Sequence, residues 1–290
     1  MTAAISSDQA AIREALQISL LVELFSNSFG KEFVLKGGMA MRAAHGSERM
    51  TKDVDLDAAE FASTASLRNT IRQSIAKAVK KSPIENATVT EPKQTETTLR
   101  WKIGGTLPHG GGDVHLTLEV SRRHSTFGAY AKEVPLAKAF GEQAHRVNIQ
   151  VLDSHALAAT KILALTSESR EAIRDLYDLD VLIEAQVATP AALLAGIPNA
   201  KETLQKAADN LWQKIESMTY SRFKTEVGIY LPADVANAID EDSYNEMCIR
   251  VATQVETWIQ EAESLRAAKE LNENERERVE APPTRTRNKP

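Results

Sequence analysis

Apolar residues recur along this chain with two different periods, and the change of period divides it. Near the N-terminus Ile12, Leu16, Leu20 and Leu24 follow one another at four-residue steps, which predicts an amphipathic helix over 8–29. A short apolar run, Phe33 to Leu35, reads as a strand, and Gly37-Gly38 forms a turn into a helix over 39–44. A second strand is predicted at Asp53 to Asp57, after a polar loop over 45–52. Leu67, Ile71, Ile75 and Val79 mark a helix over 65–80. Beyond Pro83 the pattern becomes strand-like, with candidates at 87–89 and 97–103, followed by a glycine-rich turn over 104–112. The clearest alternation lies at 115–121, with Leu116, Leu118 and Val120 on one face and His115, Thr117, Glu119 and Ser121 on the other. A last strand is predicted at 145–151.

From Asp153 onward the period is helical. Asp153 or Ser154 supplies an N-cap for the helix that carries Leu157, Lys161 and Leu165. The next helix carries Arg174, Asp175, Tyr177 and Asp178 among Ile173, Leu176, Leu179 and Leu182. Further helices are broken near Pro190, Pro198 and Pro232, and Trp212, Tyr220, Phe223 and Trp258 read as core. The segment 273–290, with Pro-Pro and no apolar pattern, reads as a disordered tail. The pattern gives an α+β chain: a strand-containing unit at 1–151, a helical unit at 152–272, then the tail.

Composition narrows the function classes. Hydrophobic residues make up 42% and charged residues 26%, an ordinary globular balance. No apolar run approaches the ~18 residues of a membrane span, and the N-terminus lacks the pattern of a secretory signal. Cys248 is the only cysteine, which excludes an internal disulfide and argues against a thiolate zinc site. These features lead us to expect a cytoplasmic protein without membrane contact. The formal net charge of −5 means that any nucleic-acid substrate needs a local basic patch, for which Arg122-Arg123 and Arg68-Arg72 are candidates.

The chemistry concentrates in two stretches. Strand alternation puts Asp53 and Asp55 on one face while Val54 and Leu56 point to the core. Like charges that close repel, and a divalent cation between them relieves the repulsion. A solvated loop would also account for an Asp-x-Asp string. A calcium-binding EF-hand loop is excluded, because its sixth and twelfth positions are Ala58 and Thr64 instead of Gly and Glu. A phosphatase-type aspartyl nucleophile remains open. Gly37-Gly38 just upstream offers close backbone approach and free N–H groups before a helix, a phosphate-binding arrangement. Glu119 is either a half-exposed surface residue or a third carboxylate, if its strand lies beside Asp53. Lys161, in an otherwise apolar helix, is either a snorkelling surface lysine or a paired one.

The order Lys36-Gly37-Gly38, Thr51-Lys52-Asp53-x-Asp55, Leu118-Glu119-Val120-Ser121, Lys161, then Arg170 and Arg174-Asp175-x-x-Asp178 resembles the AbiEii/AbiGii (MenT-like) nucleotidyltransferase toxins, within the DNA polymerase β-type superfamily. The resemblance spans roughly 30–180. It implies a mixed sheet flanked by helices, with a C-terminal helical domain completing the active site. It implies transfer of a nucleoside monophosphate from NTP to an acceptor, a tRNA 3′ end in some members. Metal would be held by Asp53, Asp55 and Glu119, as Mg²⁺ with Mn²⁺ as an alternative. Lys36, Gly37, Gly38, Thr51, Lys52 and Lys161 would bind the nucleotide, and Asp175 would help position catalytic groups. A cognate antitoxin would be the protein partner. Three other readings stay open: nucleotidyl transfer to a protein or small molecule, γ-phosphoryl transfer to a protein, and a degenerate member that binds RNA or a partner.

Overall fold

The computed structural model describes residues 7–58, 63–108, 112–123, 127–144, 147–170 and 172–280. Helix α1 (Ser7–Phe25) precedes a short 3-10 turn and strand β1 (Val34–Lys36). Helix α2 (Gly37–Ala44) starts on the glycine pair itself, two residues earlier than the pattern predicts. Strand β2 (Asp53–Asp57) falls where expected, and helix α3 (Thr64–Lys81) starts at an N-cap in which Ser63 accepts from the Ser66 amide. Strands β3 (Glu85–Gln94), β4 (Thr98–Thr106) and β5 (Asp113–Ser121) follow as a meander. The predicted glycine-rich turn is shorter than expected, because Gly104 and Gly105 pair with Val114 and His115 within the β4–β5 ladder; residues 109–111 lie outside those described.

Strand β6 (Ala131–Pro135), helix α4 (Ala137–Phe140) and strand β7 (Asn148–Leu152) complete the sheet. The sheet has seven strands in the order β3-β4-β5-β2-β1-β7-β6. Pairs β2–β5 and β1–β7 are parallel and the rest antiparallel. The parallel β2–β5 pair needs a crossover, supplied by α3 and the β3–β4 hairpin. Alternation then sets the faces. Val54, Leu56, Leu116, Leu118, Val120, Leu99 and Trp101 are buried, and α1 and α3 pack together on the side they cover. The opposite face presents Asp53, Asp55, Glu119 and Arg100.

The helical half begins at α5 (Ser154–Leu165), where the Asp153 carboxylate accepts from the Ser154 amide as the sequence predicts. It continues through α6 (Ile173–Glu184), α7 (Ala191–Ala195), α8 (Ala200–Glu216), α9 (Tyr220–Glu226), α10 (Ala233–Ala238) and α11 (Glu241–Glu280). Helix α11 packs across α6, α7 and α8. It runs to Glu280, so residues 273–280 are helical where the sequence reading expects a disordered tail; 281–290 lie outside the described residues. Buried side chains from Leu16 to Ala262 form one continuous cluster, so sheet and helices share a core. Trp258 and Phe223 belong to it as expected, but Trp212 is 40% exposed on α8. Among the described residues no helix is long and apolar enough to cross a membrane.

Candidate active site

The exposed ends of β1 and β2, the start of α2 and the facing sides of α5 and α6 enclose a pocket of about 630 Å³. Its walls include Lys36, Gly37, Gly38, Thr51, Asp53, Asp55, Glu119, Lys161 and Asp175. Nine of the ten residues singled out from the sequence therefore meet in one place. The tenth, Lys52, does not line the pocket; its ammonium lies over the Tyr230 ring, 5.4 Å from the centroid. Successive strand residues face opposite sides, so Lys52 and Asp53 cannot both turn inward.

Strand register brings the carboxylates together. Asp55 lies directly opposite Glu119 in the parallel β2–β5 ladder and opposite Lys36 in the antiparallel β1–β2 ladder. Burial raises the Asp55 carboxyl from 3.8 to about 6, and the neighbouring charge of Asp53 adds to the effect. Among the described residues neither Asp53 nor Asp55 enters an ion pair. Glu119 differs, since Arg100, its register partner on β4, holds it with two guanidinium nitrogens. Among the described residues no three carboxylate, histidine or cysteine side chains converge closely enough to hold a metal. The Asp53–Asp55 pair fits one end of a divalent cation's ligand shell. Glu119 as it stands is committed to Arg100, which departs from the expected three-carboxylate set.

Gly37 and Gly38 are dictated by what surrounds them. Gly37 has φ +69°, and a Cβ there would run into the Asp55 carboxylate. A Cβ on Gly38 would come within 2.9 Å of the Arg49 guanidinium. The Lys36 side chain does not cap α2; it reaches Asp57 instead, at 2.5 Å. The first-turn N–H groups of α2 therefore have no side-chain cap from that residue, and the positive end of the helix dipole faces the pocket. That is an anion-binding arrangement.

Lys161 is 7% exposed, and its surroundings explain how α5 tolerates it. Its ammonium lies 2.7 Å from Asp175 and 2.6 Å from Asp178. Asp178, fully buried, also takes a bidentate contact from Arg49 at 2.8–3.0 Å. Burial alone would push Asp178 up and Lys161 down. The opposing charges win, holding Asp178 below and Lys161 above their ordinary values. This four-residue network ties the loop before β2 to α5 and α6. Arg49, Asp178 and Arg100 are the functional candidates that sequence reasoning did not assign. Asp178 stood in the Arg174-Asp175-x-x-Asp178 pattern but was given no role there; the partners of Arg49 and Arg100 are set by the fold alone. Arg174, also on the pocket wall, donates to the Glu226 carbonyl and lies over Tyr230.

The sequence matches the family described as nucleotidyl transferase AbiEii toxin, type IV TA system, over residues 19–270. Two crystal structures from Helicobacter pylori share the fold. One is of a candidate nucleotidyltransferase, with a TM-score of 0.55 and 17% identity, covering 90% of this chain and 99% of that one. The other is of JHP933, with a TM-score of 0.56 and 17% identity, covering 93% of this chain and 99% of that one. No curated protein matches the sequence.

Proposed function

The chain belongs to the AbiEii nucleotidyl transferase toxin family of type IV toxin–antitoxin systems, and from that premise we propose that it transfers a nucleoside monophosphate from NTP to the 3′ end of an RNA, with tRNA as the acceptor. The family makes the chain a nucleotidyltransferase, with NTP as substrate and a cognate antitoxin as partner. The observation that carries the reading further is a juxtaposition. The unpaired Asp53–Asp55 couple, the uncapped start of α2 and Lys161 line the same pocket.

Transfer of this kind depends on in-line placement and charge stabilisation more than on covalent catalysis. The amides at Gly37 and Gly38 receive the triphosphate. Thr51 and Lys161 contact its oxygens, and Asp175 fixes the Lys161 ammonium. Lys36, anchored by Asp57, stands beside Asp55. Asp53 and Asp55 would hold Mg²⁺ or Mn²⁺, which when bound offsets phosphate charge and lowers the pKa of the attacking hydroxyl. Glu119 joins them only if Arg100 releases it. Such chemistry belongs in the cytoplasm, where NTP and tRNA are present.

The test uses wild type beside Asp53→Ala. Each is incubated with the four α-labelled triphosphates and total tRNA, and each is induced in cells lacking the antitoxin. The expected result is label at tRNA 3′ ends and growth arrest with wild type only. Unlabelled tRNA and equal growth would reject the acceptor and the toxicity. Label from γ- but not α-labelled nucleotide would reassign the chemistry to phosphoryl transfer.

A further inference from the structure

The basic clusters that the sequence offers for RNA are partly engaged within the fold. Arg68 and Arg72 both bind Glu91, and Arg122 pairs with Glu96 and Thr64. Another group of cations adjoins the active pocket directly. A second pocket, of about 300 Å³, opens where the α5–α6 loop meets α8 and α9. It shares Ser169 and Arg170 with the active pocket, so the two spaces are contiguous at those residues.

Three cations from three elements line the second pocket: Arg170, Lys214 and Arg222. Arg170 is exposed and enters no ion pair among the described residues. Lys214 donates to the Glu168 and Arg170 carbonyls, both at 3.0 Å, and so fixes the loop that presents Arg170. Arg222, which pairs with Glu226 at 2.9 Å, adds a second guanidinium to the wall. Among the described residues, Glu168 is the acidic residue on the wall beside these three cations.

We infer that this pocket holds a backbone phosphate of the acceptor strand, the strand whose terminal hydroxyl enters the active pocket. The inference rests on the RNA-acceptor reading above. The active pocket has room for a nucleotide, but the residues preceding the acceptor's end must lie outside it. The opening at Ser169–Arg170 leads into the basic pocket. Arginine suits the role, because its planar donor fork matches phosphate oxygens.

The probe is a fluorescein-labelled RNA hairpin with a single-stranded 3′ overhang. Its Kd is measured over a series of salt concentrations for wild type, Arg170→Ala, Arg222→Ala, Arg222→Lys and the control Arg68→Ala, with thermal melts verifying folding. Each pocket alanine should weaken binding about tenfold. Loss of a phosphate contact should also make the log Kd against log salt slope shallower by about 0.7. Arg222→Lys should recover part of the loss, and Arg68→Ala should match wild type. KM for the hairpin and for NTP are followed in parallel. Wild-type affinity and slope in both alanine variants would overturn the pocket while leaving RNA transfer intact. Equal rises in both KM values would mark general damage and overturn it too. If the wild type neither binds nor labels RNA, the acceptor reading fails and the pocket fails with it.

Discussion

Asp55 is held in a state that destabilises the protein, and replacing it with asparagine should reveal how strongly. The carboxylate sits between Asp53 and Glu119 against the turn at Gly37, and burial raises it from 3.8 to about 6. A carboxyl whose folded-state pKa exceeds its unfolded value contributes full stability below the unfolded pKa, and that stability is lost as pH rises through the folded one. At 1.36 kcal/mol per unit, the ionised group costs up to about 3 kcal/mol near pH 8. About half of that cost is already present at pH 5. Asp55→Asn keeps the shape and removes the charge. In EDTA it should therefore be about 3 kcal/mol more stable than wild type at pH 8, with roughly half that gain at pH 5. Urea denaturation at both pH values gives the comparison, with equal slopes required so that only stability differs. The variant should meanwhile lose nucleotide transfer. No gain at pH 8, or a gain that does not shrink at pH 5, would show that charge burial at Asp55 is not what destabilises the pocket.

Gly37→Ala should cost ~1–3 kcal/mol of stability and most of the activity, because φ is +69° and the new methyl meets Asp55; wild-type melting and turnover would contradict this. Lys161→Met leaves the buried Asp178 with Arg49 alone, so a loss of ~3–5 kcal/mol in chemical denaturation is expected together with lost activity, and a fully stable but inactive variant would reduce Lys161 to a ligand contact. Arg100→Gln frees Glu119; Mn²⁺ binding followed by electron paramagnetic resonance should tighten, and unchanged affinity would remove Glu119 from the cation site.

The parts of the site readable from the sequence are those written by local periodicity. Period-two alternation put Asp53 and Asp55 on one face and Glu119 opposite Leu118 and Val120. The strand pairing that makes Glu119 a neighbour of Asp55 was expected by resemblance, and the β2–β5 ladder has it. Lys161 stood out because a lysine in an apolar helix needs a partner. What the sequence hid was the partners. Arg49 and Asp178 are 129 residues apart, and no local pattern relates them. Arg100 lies 19 residues before Glu119, across a hairpin whose register the glycine-rich turn concealed. The same blindness to distant partners made Arg68, Arg72 and Arg122 look available for RNA. Strand β6 escaped notice because it is a short, polar edge strand with little apolar alternation. Strand β3 was read as three residues because Pro92 and the register shifts around Asn86 and Thr90 interrupt its pattern.

The distribution of charge around the pocket bears on how a nucleotide can enter it. Lys36 is engaged by Asp57, Arg49 by Asp178, and Glu119 by Arg100. The Lys161 ammonium is shared by two carboxylates, so it offers a directed N–H more than a net charge. Set against one another, these pairs leave Asp53 and Asp55 without an ion pair among the described residues, on a wall that also carries Arg170 and Arg174. An unaccompanied triphosphate would therefore approach two carboxylates that already repel each other. Delivery as a complex with a divalent cation resolves both conflicts at once, because the same ion neutralises the phosphates and the aspartates. On this argument nucleotide and cation bind cooperatively. The raised Asp55 pKa makes that coupling stronger as pH rises through about 6, where Asp55 ionises, and weaker below it. The helical half is then required for more than contacts. By fixing Lys161 through Asp178 and Arg49, it keeps at the pocket a donor whose own charge is already offset by carboxylates.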